Sequence, residues 1–191
     1  MDKDIADKFP SLKNQFLIAM PSLNDGSFTR SVMLMCEHNE DGAMGIVINQ
    51  PLNFSTPELL EHLSIPCKRI PNNNPVLAGG PVQVDRGFVI HRANQLWQSS
   101  LNLEQNISVT TSSDILHAIA KEELDNDTFI ALGYAGWDAG QLEREMLENS
   151  WITAPIDPEI IFSTPVEQRW QKAIQSLGID VSLLSSGAGH A

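Results

Sequence analysis

The sequence predicts an α/β fold, a mixed α+β arrangement around a mixed sheet, and three observations carry that expectation. Hydrophobic residues make up 42% of the 191-residue chain and charged residues 19%. That is a globular composition, and a chain of this length buries roughly two thirds of its unfolded surface. Apolar runs of strand length fill the first fifty residues, and two of them are joined by the short connector His38-Asn39-Glu40-Asp41-Gly42, which suits an antiparallel hairpin. From residue 56 onward strand-like runs alternate with helix-start signals, which requires a sheet that is not purely antiparallel.

The elements follow in order. Residues 1–15 read as a polar arm broken at Pro10. Phe16–Met20 is a continuous apolar run ended by Pro21, and Ser22–Arg30 is a loop holding the turn pair Asp25-Gly26. Ser31–Glu37 and Ala43–Asn49 are the two arms of the hairpin. Thr56-Pro57-Glu58 starts a helix with threonine as N-cap, proline at N1 and an apolar stripe of Leu59, Leu60 and Leu63. Residues 66–75 form a polar, proline-rich surface loop. Val76–Ala78 and Gly87–His91 are strands around Gly79-Gly80-Pro81, and Ile107–Thr111 is another. A helix from Ser113 follows, with Ile115, Leu116, Ile119 and Ala120 on its apolar face.

Phe129–Leu132 is a buried-strand pattern that leads into Gly133-Tyr134-Ala135-Gly136-Trp137, read as a turn before a helix starting at Asp138 with Gln141 as its capping partner. Trp151–Ile152 begins a last strand ended by Pro155. Asp157-Pro158 starts a helical turn, and Thr164-Pro165-Val166-Glu167 reads as a capping box for a helix running to about Gly178. Residues 185–191 are a low-complexity tail expected to be disordered. With no repeat and no separating linker, residues 1–184 are expected to be one domain.

Charge and cysteine usage narrow the function classes. No apolar run approaches the roughly 20 residues of a bilayer-spanning helix, and the acidic start Met1-Asp2-Lys3-Asp4 is unlike a secretory signal, so a cytoplasmic location is expected. The net charge is −12, and residues 104–167 hold thirteen acids against two bases, Lys121 and Arg144. Such a field repels a phosphate backbone. Cys36 lies in the run Val32-Met33-Leu34-Met35-Cys36 and reads as a small buried hydrophobe, whereas Cys67 stands beside Lys68-Arg69, where positive charge favours a thiolate. No disulfide scaffold is expected.

Two glycine-bearing segments invite a site. Gly133-x-x-Gly136-x-x-x-Gly140 between strand and helix has the look of a phosphate loop, but its spacing matches neither common pattern, no lysine follows, and Asp138, Glu143 and Glu145 crowd the helix start with negative charge. A turn that packs Tyr134 and Trp137 on the sheet fits better. Gly79-Gly80-Pro81 is a tight turn where a ligand or another backbone could approach closely. The five histidines show no metal-ligand spacing. His38 with Glu40 and Asp41 reads as a solvated connector, so neither a metal nor a cofactor is expected.

Taken together, Phe16-Leu17-Ile18-Ala19-Met20-Pro21, Phe28-x-Arg30-Ser31-Val32, His38-Asn39 and Gly42-Ala43-Met44-Gly45-Ile46-Val47-Ile48-Asn49-Gln50-Pro51 strongly resemble the YqgE/AlgH family. Gly79-Gly80-Pro81-Val82 with Arg86-Gly87-Phe88-Val89-Ile90-His91 continues the match. So do Ala131-Leu132-Gly133-Tyr134-Ala135-Gly136-Trp137, Gly140-Gln141-Leu142-Glu143, Glu145, Asn149 and Trp151. The similarity runs from residue 16 to about 175 in order. It implies a bacterial, cytoplasmic protein with a branched mixed sheet that includes a small barrel, surrounded by helices. One branch of the family is named for a role in transcriptional control of alginate production, and members are often encoded beside an RNase H-like nuclease of ribosomal RNA processing. The family supplies no catalytic residue to carry over.

Three function classes remain. The first is a non-enzymatic regulatory or interaction protein, possible as a transcriptional regulator, that acts through a protein partner or a small ligand. The second is a small-molecule-binding protein or enzyme whose cleft gathers Asn49, Gly79, Gly80, Tyr134, Gly136 and Trp137. The third is direct nucleic-acid binding through Lys68, Arg69, Arg86 and Arg92, which the net charge disfavours.

Overall fold

The computed structural model describes residues 10–21, 23, 26, 28–67, 73–124 and 127–180. Most of the polar arm, Lys68 and Arg69, and the low-complexity tail therefore lie outside the described residues. Ten strands form one sheet: β1 (Gln15–Ala19), β2 (Val32–Asn39), β3 (Gly42–Val47), β4 (Pro51–Ser55), β5 (Pro75–Ala78), β6 (Val82–Arg92), β7 (Ser100–Asn102), β8 (Ile107–Thr110), β9 (Thr128–Asp138) and β10 (Trp151–Pro155). The helices are α1 (Thr56–His62), α2 (Asp114–Ala120), α3 (Gln141–Leu147), α4 (Pro158–Phe162) and α5 (Arg169–Ser176), with a 3₁₀ turn at Val166–Gln168 before α5.

An antiparallel path runs β10-β1-β2-β3-β9-β6-β8-β7 and curls into a half-barrel. The branch is made by β9. Its first half pairs β6 on one edge and, in parallel, β5 on the other (Leu77 opposite Ala131), and β5 in turn carries β4. Its second half pairs β3, from Gly45 opposite Ala135 to Gly42 opposite Asp138. The expected mixed, branched sheet is thus present, and the one parallel pairing among the described residues sits at the fork.

The region read as a turn between strand and helix is instead the continuation of β9 through Gly133–Asp138. Pairing to β3 holds these residues extended, a tertiary contact that overrides the turn tendency of the glycines. The helix expected from Asp138 accordingly starts at Gln141, after Gly140 in the left-handed region with φ 72°. Smaller corrections are of local origin. Ser55, not Thr56, caps α1, since the Glu58 carboxylate accepts from both the Ser55 N–H and its hydroxyl at 2.7 Å. The Thr164 hydroxyl donates to the Glu159 carbonyl at 3.1 Å, so the expected capping box at residue 164 does not form. Strands β4 and β7 were not expected; both are short, of five and three residues.

Three apolar clusters hold these layers. The first joins Phe16, Ile18, Leu34, Ile46, Phe88, Ile90 and Ala131 to α4 and α5 through Ile160, Ile161, Trp170 and Ile174. The second lies across the opposite face of β1–β3, with Leu17, Met33, Met35, Trp137, Leu142 and Trp151. The third lies under α1 and α2 and unites Leu60, Val76, Val89, Ile115, Ile119 and Ile130. Cys36 is fully buried in the first cluster, and burial pushes its thiol up to about 12, as befits an inert core residue.

Candidate functional site

The third cluster is unfinished, and the gap is a groove of about 740 Å³. Strand periodicity explains its floor. In the β6–β9 register Val89 stands opposite Ile130 and Gly87 opposite Leu132, so these four positions share one face, while Phe88 and Ala131 turn to the first cluster. Gly87 is decisive, because even a Cβ there would meet no atom within 4 Å. The missing side chain leaves Leu132 half-covered. Phe54 from β4 closes one end of the floor, and α1 and α2 supply the walls through Leu59, Leu63 and Leu116. Leu63 is 47% exposed at the rim.

The polar lining residues are Glu58 and His62 on α1, Asp85 on β6, and Thr110 to Ser113 leading into α2, of which Thr110 is fully buried. The hydrogen bonds from Ser55 hold the Glu58 carboxyl below its usual range. Asp114, next to Ser113, accepts from the Ser112 hydroxyl at 2.5 Å and from the Gln98 N–H at 3.0 Å, and its carboxyl is likewise held low. Among the described residues the groove therefore has an apolar bed, the lining acids Glu58 and Asp85, and no lysine or arginine in its lining.

Behind Thr110 a buried chain of polar groups stitches three strands. His91 Nδ1 lies 2.6 Å from the Arg92 carbonyl, which can only accept, so Nδ1 carries the hydrogen. Nε2 then accepts from the Thr110 hydroxyl at 2.8 Å, whose oxygen lies 2.7 Å from the Ser100 hydroxyl. Burial lowers the His91 pKa.

The residues singled out in the sequence fall elsewhere. Asn49 bridges two strand ends, its Oδ1 accepting from the Val32 N–H and its Nδ2 donating to the Arg30 carbonyl, both at 2.8 Å. Gly79 and Gly80 cross β9 at backbone contact. A Cβ on Gly79 would lie 2.3 Å from the Gly133 oxygen, and one on Gly80 2.1 Å from the Tyr134 carbonyl carbon. Tyr134 packs edge-on to Phe88 at 5.8 Å beside the first cluster, whereas Trp137 is buried in the second. Gly136 is exposed between them. The two glycines and Tyr134 come together; Trp137 stands on another face, and Asn49 spends its amide on backbone. None of the six lines the groove.

Of the basic candidates within the described residues, Arg86 lies over the Phe88 ring at 5.3 Å and donates to Gln83, and Arg92 pairs with Asp127 at 3.0 Å while lying over Phe162. Six residues of strand, roughly 20 Å, separate them. His38, read as a solvated connector, is buried against α3, its Nε2 3.0 Å from Glu143. The groove itself was missed. Leu59, Leu63 and Leu116 look in sequence like ordinary helix stripes, and nothing in Gly87 announces that its neighbour is uncovered.

The fold and the groove define a mixed α/β protein with a branched sheet and an open apolar channel beneath two helices. The chain belongs to the AlgH-like family, whose model matches residues 16–182. It is 53% identical over 178 residues to a UPF0301 protein of Thioalkalivibrio sulfidiphilus, covering 93% of this chain and 96% of that one. A UPF0301 protein of Vibrio cholerae is 50% identical over 186 residues, covering 95% of this chain and all of the relative. The solution structure of the AlgH protein from Pseudomonas aeruginosa superposes with a TM-score of 0.76 at 45% identity, covering 95% of this chain and 96% of that one. A Corynebacterium diphtheriae protein shares the fold at 19% identity, with a TM-score of 0.72 and 93% of each chain covered.

Proposed function

We propose that this AlgH-like protein is a non-enzymatic regulatory protein of the cytoplasm that acts through an apolar occupant of the groove beneath α1 and α2. The observation that carries the reading is the groove's composition. Its size lies within the roughly 300–1,000 Å³ of ligand sites, and Phe54, Leu59, Val89, Leu116, Ile130 and Leu132 line it with a few polar side chains beside them. Thr110, whose hydroxyl bonds His91, is fully buried, and Asp114, whose carboxyl is held low, is a weak base for the Ser112 hydroxyl, which favours binding over nucleophilic chemistry. A role in transcription, which the similarity to AlgH raises, then runs through the occupant, because the acidic rim opposes contact with nucleic acid.

The test is a thermal-shift and fluorescence titration with an anilinonaphthalene probe, comparing the protein with Gly87→Leu. A Cβ at this position meets no atom within 4 Å, so the variant side chain has open space to start into. The reading expects a probe signal lost in a variant that melts at or above the parent temperature. An unchanged signal in Gly87→Leu places the apolar site elsewhere and overturns the reading.

A further inference from the structure

The charge around the groove says more about what occupies it. Glu58 on α1 and Asp85 on β6 line the groove, and Asp114 opens α2 one residue beyond the lining residue Ser113, so acids lie in or next to the lining on three separate elements. Two of the three are clamped: Glu58 by the Ser55 N–H and hydroxyl, Asp114 by Ser112 and the Gln98 N–H. The nearest arginine in sequence, Arg86, stacks on Phe88, which belongs to the first cluster and not to the groove. Among the described residues no lysine or arginine therefore offsets the acids from within the lining.

We infer that the groove is the docking site for a basic amphipathic helix of a partner protein, a segment with an apolar stripe flanked by lysines and arginines. The inference rests on the reading of the groove as a binding site and names its occupant. A helix laid in a groove buries anchors at i, i+3 or i+4, and i+7, and its flanking positions meet the groove's rims. That geometry matches an apolar bed lined by Glu58 and Asp85, with Asp114 just beyond Ser113. A small lipophilic cation carries one charged head and would answer one acid, leaving the others and the exposed edge of Leu63 without a counterpart. Oppositely charged rims also speed and orient docking, an effect that weakens with salt.

The experiment is fluorescence anisotropy of the full chain with a labelled helical peptide of about 16 residues, leucine and phenylalanine on one stripe and lysine and arginine on its flanks. An otherwise identical peptide with glutamates replacing the bases is run beside it, and the anilinonaphthalene probe is titrated in parallel. The expected result is saturable binding of the basic peptide, at least about tenfold weaker in Gly87→Leu and in the double variant Glu58→Gln/Asp85→Asn, and lost with the acidic peptide. If Gly87→Leu does not melt cooperatively, Leu116→Gln takes its place.

Equal binding of the basic peptide to the protein and to Gly87→Leu would mean general attraction to a chain of net charge −12 and would overturn the inference. Tighter binding of dodecyltrimethylammonium than of the peptide would overturn it in favour of a small lipophilic cation. A probe that enters the groove while both peptides fail removes the helical partner but leaves the groove reading intact. Failure of probe and peptides alike removes both.

Discussion

The backbone N–H of Leu12 donates to Nδ1 of His38 at 2.8 Å, and that bond sets the state of the ring. With Nδ1 accepting, the hydrogen sits on Nε2 and points at Glu143 Oε1, 3.0 Å away. Side-chain exposure is 5% for His38 and 3% for Glu143, so the pair is sealed between the β2–β3 hairpin, the entry to β1 and helix α3. It is a structural pin, since both ring nitrogens are occupied.

Removing one partner strands the other. His38→Ala leaves the Glu143 carboxylate buried without its donor and is expected to cost about 3 kcal/mol in urea unfolding. Glu143→Gln keeps an acceptor for Nε2 and is expected to cost about 1 kcal/mol or less. Equal losses for the two variants would contradict the hydrogen-bond assignment.

A second carboxylate holds two indoles. Glu145 Oε2 accepts from Trp137 Nε1 at 2.9 Å and from Trp151 Nε1 at 2.8 Å, while Oε1 accepts from Gln141 at 3.0 Å. Glu145→Ala is expected to destabilise by roughly 2–3 kcal/mol, because two buried N–H groups lose a charged acceptor. Tryptophan emission should shift in the folded variant. An unchanged spectrum together with unchanged stability would show that the clamp does not exist in solution.

The Gly79–Gly80 crossing admits no side chain. Gly80 has φ 154° and its Cβ would overlap the Tyr134 backbone, so Gly80→Ala is expected to lose about 3 kcal/mol or fail to fold. Gly87→Ala, on ordinary backbone with open space beside it, should be neutral or stabilising by up to about 1 kcal/mol. Melting temperatures of the pair decide the matter, and similar values for both would refute the assignment of close contact to Gly80 alone.

Two windows of pH dependence follow from the shifted groups. His91 is buried and its pKa lies below the ordinary 6.5, so as pH falls through 6.5 the unfolded chain gains a proton that the folded chain does not, and stability declines until the folded value is reached. Glu58 and Asp114 are held below 4.5 and 3.8, so their contribution is complete above those values and is lost as pH falls through the lower folded ones. His91→Gln should flatten the decline just below pH 6.5 and leave the steeper acid limb, as read by melting temperature from pH 8 to 3. A parent protein with constant stability from pH 7 to 5 would count against the His91 assignment.

Much of this was legible in the sequence. Continuous apolar runs marked β1, β2, β3 and the start of β9, and the cap at Asp157 and the helix from Ser113 were readable from the residue types alone. The blocks that resemble the AlgH-like family turn out to hold structural stitches: Asn49 across two strand ends, the Gly79–Gly80 crossing, and the His38 and Glu145 clamps. Short polar strands such as β7 were invisible because pairing to β8, not local preference, extends them.

What the sequence determined by itself is local: which runs are apolar at period two or 3.6, where caps and prolines stop them, and that the chain is strongly acidic. Those properties belong to neighbours along the chain. Only the tertiary structure decided that Gly133–Asp138 is strand rather than turn, because its hydrogen-bond partners come from β3, some ninety residues away. It also decided that Arg169 lies fully buried, donating to the Ile48 carbonyl with Phe129 beneath it. And it alone placed a glycine opposite Leu132, with Leu59 and Leu116 arching over the gap. A groove is a property of surfaces that meet from four or five distant segments, and no window of sequence contains it.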